Sequence, residues 1–77
     1  MARFSYTVIV EQVKGNFSAY APDLPGCVAV GDTVEETLQE MKEAIEFHLE
    51  EFVREGKPIP KPSVIAHEEV TVTLPAA

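Results

Sequence analysis

The sequence predicts an α+β fold in which three short strands precede one long helix and a final strand follows it. Three observations favour this order: alternation of apolar and polar side chains, an amphipathic helical pattern, and turn residues between the segments. With 77 residues there is room for one domain, residues 1–77, and one modest hydrophobic core. We expect a small antiparallel sheet with the helix on one face, in the order β-β-β-α-β.

The first two predicted strands form a hairpin. Residues 4 to 13, FSYTVIVEQV, are rich in β-branched and aromatic types. The turn residues Lys14, Gly15 and Asn16 follow, and residues 17 to 21 form the second strand. Because the connection is short, the two strands are expected to be antiparallel.

Two further strands are predicted from shorter signals. Residues 28 to 30 form a third strand that Gly31 ends. The run EVTVTL, residues 69 to 74, alternates cleanly and predicts a last strand. Its inward-facing side chains are expected to be Val70, Val72 and Leu74.

The stretch PDLPGC joins the second and third predicted strands. Its prolines cannot donate ladder hydrogen bonds, and Pro25-Gly26 is a strong turn signal. Leu24 is expected to anchor the loop from below. We therefore predict a structural turn formed by Pro22, Asp23, Leu24, Pro25, Gly26 and Cys27.

Cys27 is the only cysteine and a candidate nucleophile. A catalytic thiol needs a base and a cationic or helix-N-terminal setting, and the predicted helix begins only after an intervening strand. We interpret Cys27 as structural, and keep a small thiol enzyme using Cys27 with His48 or His67 as an alternative. These three residues show no zinc-ligand spacing, so no metal or other cofactor is expected.

The helix is the most strongly predicted element. Thr33 and Glu36 match a capping box, while Gly56 and Pro58 are stop signals, which gives a helix over residues 34 to 55. Apolar residues at spacings of three and four form one stripe. Its members are Val34, Leu38, Met41, Ile45, Leu49 and Phe52.

The charge balance bears on the kind of partner. The net charge is −7, with thirteen acidic against six basic residues. Direct binding to nucleic acid is not expected, because such sites need clustered Lys and Arg. The predicted helix carries many glutamates, and either a solvated face or a basic partner protein would account for them.

Phe47 does not fit the amphipathic pattern. It lies about 160° from Ile45 around the helix, among charged residues. We predict a surface for a partner or for a second copy, formed by Glu43, Phe47, Glu50, Glu51 and Arg54. A domain this small gains stability from association, so a homo-oligomer, either a dimer or a tetramer, is expected.

The N-terminal apolar run is too short to span a membrane and continues directly into polar residues. It lacks a small-residue cleavage site and therefore indicates a strand and not a signal peptide. With one free thiol, a cytoplasmic location without membrane contact is expected.

Taken in order, several features resemble the HicB family of bacterial and archaeal antitoxins over residues 4 to 74. They are Pro22 to Cys27, then Gly31-Asp32-Thr33 opening a long acidic helix, then Pro58-Ile59-Pro60. The resemblance implies a partial ribonuclease-H-like fold. It also implies binding to a small basic HicA toxin, an mRNA-cleaving enzyme, by covering its active site and RNA surface. An oligomeric binding domain without a toxin is an alternative.

Two departures from the family limit what is carried over. Longer relatives have a C-terminal DNA-binding module, and we expect none here beyond VTVTLPAA, and hence no operator binding. A ribonuclease H site also needs acids that hold a divalent metal, including one in the first strand. Here FSYTVIV contains none before Glu11, so no enzymatic activity is expected.

Overall fold

The fold is a three-stranded antiparallel sheet followed by one long helix, seen in a computed structural model that describes residues 3–64 and 66–75. The elements are β1 (Ile9–Val13), β2 (Asn16–Tyr20), β3 (Val28–Gly31) and α1 (Val34–Arg54). The strand order is β1-β2-β3, with β2 in the centre. The predicted α+β class is confirmed, and residues 1–2, 65 and 76–77 of the predicted domain lie outside the described chain.

The register of the sheet decides which side chains meet the helix. Ala19 in β2 lies opposite Val10 in β1 and Ala29 in β3, so these three side chains share one face. That face packs against Met41 of α1. The buried core consists of Ala19, Ala21, Leu24, Cys27 and Met41.

The ends of α1 are closed by local hydrogen bonds. The Thr33 hydroxyl accepts from the Glu36 backbone N–H at 3.0 Å, and the Glu36 carboxylate accepts from the Asp32 N–H at 3.3 Å. At the other end Gly56 has a φ of +71°, and its N–H donates to the Val53 carbonyl. Glycine tolerates this left-handed conformation, which is why the helix stops there.

The junction between β3 and α1 is unusually close. A Cβ atom on Gly31 would lie 2.7 Å from Thr37 Oγ1 and 2.9 Å from the Thr37 backbone nitrogen. Thr37 is fully buried, and its hydroxyl donates to the Thr33 carbonyl at 2.7 Å. The absence of a side chain at Gly31 therefore allows the first turn of α1 to lie directly on β3.

Two predicted strands differ from the structure. The first was expected over residues 4 to 13, but only Ile9–Val13 pairs with β2, because β2 ends at Tyr20 and the chain then turns at Pro22. The last was expected over residues 69 to 74, and in the described chain these residues form no strand. The expectation that they face inward is wrong within one protomer, since Val70, Val72 and Leu74 are 82%, 73% and 80% exposed.

The buried side of the helix is also rotated from the predicted stripe. It is centred on Thr37 and Met41, whereas Val34 and Leu38 are exposed. The reason is the contact with Gly31, which turns Thr37 toward the sheet.

The Gly31–Thr37 contact leads to a stability prediction. Gly31→Ala should lower the free energy of unfolding by about 1–3 kcal/mol, because the added methyl group overlaps Thr37. Urea denaturation followed by circular dichroism would measure the loss. Asp32→Ala, at the exposed neighbouring position, is the control; equal stability of wild type and Gly31→Ala would contradict the prediction.

Candidate protein-interaction site

The five residues predicted as a contact surface lie together on one exposed side of α1, because they recur at spacings of three and four. Phe47 is 62% exposed and lies about 120° around the helix from buried Met41. Arg54 forms an ion pair with Glu51 one turn earlier. We call Glu43, Phe47, Glu50, Glu51 and Arg54 the acidic face.

The acidic face combines an apolar centre with a negative surround. Four of its five members are charged, and three of those four are glutamates. The Glu43 carboxylate accepts a hydrogen bond from the Gln39 amide at 3.2 Å, which limits its freedom. The Glu51–Arg54 pair is exposed and contributes little to stability by itself. The arrangement suits contact with a positively charged protein surface that offers a place for an aromatic ring.

Beside the acidic face runs an open groove of about 1020 Å³ between residues 3–8 and α1. We call it the edge groove, because residues 3–8 lead directly into β1, which is an edge strand of the sheet. Apolar side chains from α1, including Leu38, Leu49 and Val53, form one wall, and Phe4 and Val8 belong to the other.

The edge groove was not predicted from the sequence. Residues 4–8 of its N-terminal wall were assigned to a paired strand, so that no open space was expected beside them. The exposure of Phe4 and Val53, both apolar, is the signal that marks it in the structure. Glu50 and Arg54 line the groove and also belong to the acidic face, so the two sites are contiguous.

The PDLPGC turn closes the base of the core. The Leu24 N–H donates to the Ala21 carbonyl at 3.0 Å, and the Cys27 N–H donates to the Leu24 carbonyl at 3.1 Å. Gly26 has a φ of +84°, the left-handed conformation that type II turns require. Leu24 and Cys27 are both buried. The side chains of the turn thus serve packing.

The environment of Cys27 does not favour nucleophilic chemistry. Burial raises the pKa of its thiol, so that less thiolate forms at neutral pH. The His48 ring packs edge-on against Phe52, with ring centroids 5.3 Å apart, and His67 lies in the exposed C-terminal part. Within residues 3–64 and 66–75, no group of His, Cys, Asp and Glu is arranged to hold a metal ion.

Asp23 has a role beyond the turn, since it binds the segment that follows the helix. Its carboxylate accepts hydrogen bonds from the Ser63 hydroxyl, from the Ser63 N–H at 3.1 Å and from the Val64 N–H at 3.3 Å. Nearby, the Tyr6 hydroxyl donates to the Pro60 carbonyl at 2.5 Å. These bonds hold the connector, residues 57–64, against the β2–β3 turn and the segment before β1.

The thiol should be slow to react. Because burial raises the pKa of Cys27, its reaction with a disulfide reagent at pH 7 should be slower than that of a cysteine peptide, and urea should remove the difference. The neutral form is favoured in the folded state. Stability should therefore be constant below the ordinary thiol pKa of about 8.5 and fall as pH rises above it. Native reactivity equal to that in urea would contradict this.

Asp23 should titrate below its ordinary range. The Ser63 hydroxyl, first among its donors, lowers the pKa of the Asp23 carboxyl, so the stability that these bonds supply is present above about pH 3.9. It is lost as pH falls through the lowered pKa. The amide proton shifts of Ser63 and Val64 in NMR spectra should follow a midpoint below that value. Asp23→Asn should abolish the titration, and a midpoint at or above the ordinary value would refute the assignment.

Comparison with known proteins relates this chain to one family. The family model described as HicB_like antitoxin of bacterial toxin-antitoxin system matches residues 6–74. A UPF0150 protein of Synechocystis sp. is 41% identical over 63 residues, which cover 80% of each chain. A UPF0150 protein of Thermoplasma acidophilum is 37% identical over 68 residues, covering 87% of this chain and 94% of that one.

A solved structure is also similar. It is a chain of the "HicA3 and HicB3 toxin-antitoxin complex", with a TM-score of 0.64 and 32% identity. The match covers 74% of this chain, which spans 66% of that chain's length. Among the residues that the structure describes, no helix has the length and apolar character needed to cross a membrane.

Proposed function

Since this chain belongs to the HicB-like antitoxin family of bacterial toxin–antitoxin systems, we propose that it neutralises a small basic HicA-type toxin by covering the toxin's active and RNA-binding surface. The observation that carries the proposal is the acidic face, where Phe47 is exposed among charged side chains on a rigid helix. A surface that binds RNA is positively charged, and an acidic cover complements it.

Family membership identifies the protein as an antitoxin and therefore as non-enzymatic. The buried thiol of Cys27, whose pKa is raised, agrees with this. Inhibition by an antitoxin of this kind needs no chemistry, only a contact that excludes the substrate. The net charge of −7 supports a long-range attraction toward a basic toxin.

Phe47 supplies the apolar part of the proposed contact. Interface energy concentrates in aromatic and arginine side chains near the centre of a contact, with a polar rim around them. Phe47 has this position, with Glu43 and Glu50 one turn away on either side. Because messenger RNA is the target of a HicA-type toxin, the complex would form in the cytoplasm.

Two substitutions test the acidic face. With a small basic toxin encoded beside this chain, Phe47→Ala and Glu43→Lys should each weaken binding by about 10- to 100-fold in calorimetry, and growth rescue should fall in parallel. Both positions lie outside the edge groove. Glu11→Lys, the same charge change on the sheet, is the matched control and should bind normally.

The outcomes separate the proposal from its alternatives. Wild-type affinity in both variants would reject the acidic face as the toxin contact while leaving an antitoxin role intact. Failure of the wild-type chain to bind or rescue against any neighbouring basic protein would favour a binding domain that has no toxin.

A further inference from the structure

The C-terminal part of the described chain, residues 66–75, is exposed throughout, and residues 70–74 alternate between apolar and polar side chains. Val70, Val72 and Leu74 are all mostly exposed. Leaving three apolar side chains in contact with water is unfavourable in free energy. The Cα radius of gyration is 15.5 Å, against about 11 Å for a compact chain of this length. We call residues 69–74 the tail.

The edge groove, in turn, is an apolar surface that the described chain leaves open. Leu38, Leu49 and Val53 of α1 face open space there, and residues 3–8 form no ladder with a neighbouring strand in the described chain. A backbone segment without a ladder partner beside an apolar wall is a site to which a strand can be added. The six-residue tail matches residues 3–8 in length.

In the described chain the tail does not occupy the groove of its own protomer, since Val70, Val72 and Leu74 are mostly exposed. Ile59 still lines the groove, but Ser63 and Val64 are bound to Asp23 in the turn after β2. The tail therefore starts from a connector that is held at the β2–β3 turn.

Charge favours the groove over the other sheet edge. Three basic residues, Arg3, Lys42 and Arg54, line the edge groove together with two acidic ones, Glu46 and Glu50, which leaves a small excess of positive charge. The tail begins with Glu69 and directly follows Glu68. The free edge of β3 instead adjoins a small pocket lined by Asp32, Glu36 and Glu40. Two glutamates would be repelled there.

We propose that the tail of one copy occupies the edge groove of a second copy, pairing with residues 3–8 as a fourth strand, and that the exchange is reciprocal. Val70, Val72 and Leu74 then face the apolar wall of α1, and Thr71 and Thr73 face solvent. A reciprocal exchange closes a two-fold dimer and leaves no tail unpaired. The inference rests on the groove and the tail, and it does not require the proposed toxin contact.

A pair of tail variants tests the side-chain alternation. Light scattering of the full chain should give twice the chain mass of 8.5 kDa for wild type and for Thr71→Asp. Val72→Asp should raise the dimer dissociation constant by at least about tenfold, since it places a carboxylate against apolar side chains. Circular dichroism would verify that α1 remains folded.

Each contrary result overturns the proposal. A monomeric wild type excludes the exchange, and an unchanged mass for Val72→Asp places the tail outside the interface. Val30 lies on the exposed outer face of the sheet. If Val30→Asp dissociates the dimer while Val72→Asp remains dimeric, the interface lies on that face instead.

Cross-linking distinguishes exchange from pairing within one chain. In a Cys27→Ala background, a chain with Val72→Cys and a chain with Val53→Cys are mixed and oxidised. A covalent dimer containing one of each is expected, with Thr71→Cys in place of Val72→Cys as the unreactive control. A chain that carries both substitutions is tested as well. If it forms the disulfide within one chain and keeps the mass of a monomer, the exchange is overturned.

Discussion

The contact between Gly31 and Thr37 governs how the two layers of this protein meet. It places the first turn of α1 directly on β3 and so sets the short distance between the helix and the sheet at this end. From there Met41 reaches the alanines of the sheet, and Leu24 and Cys27 close the core from the turn side. The small residues Ala19, Ala29 and Gly31 along the inner face are what permit this short separation. The orientation of every other side of the helix, including the acidic face, follows from this one close approach.

Much of this architecture could be predicted because its signals are local. The helix was predicted over residues 34 to 55 and observed as Val34–Arg54, since a capping threonine and a left-handed glycine mark its ends independently of tertiary packing. The hairpin and the antiparallel order were similarly encoded by short turns. The burial of Thr37 was not predicted. A polar residue in an amphipathic helix is expected to face solvent unless its contact with Gly31 of β3 is known.

The parts that could not be predicted depend on contacts that are distant in sequence. Alternation at residues 4–8 and 69–74 specifies strand-forming segments, but it does not say whether a partner backbone lies within reach. The partner of a strand depends on the path of the chain in space. Here that path is set by Asp23, which binds Ser63 of the connector forty residues later in the sequence. The acidic face, by contrast, could be located from helical spacing alone, while the edge groove beside it required the three-dimensional path of residues 3–8.

The sharing of Glu50 and Arg54 between the acidic face and the edge groove has a thermodynamic consequence. Two ligands whose contacts include the same side chains do not bind independently, and the coupling free energy between them is the same from either side. Occupation of the groove would thus alter affinity at the acidic face by the same factor as the reverse. If both proposed contacts form on this helix of 21 residues, the assembly state of the protein and its affinity for a partner would be coupled.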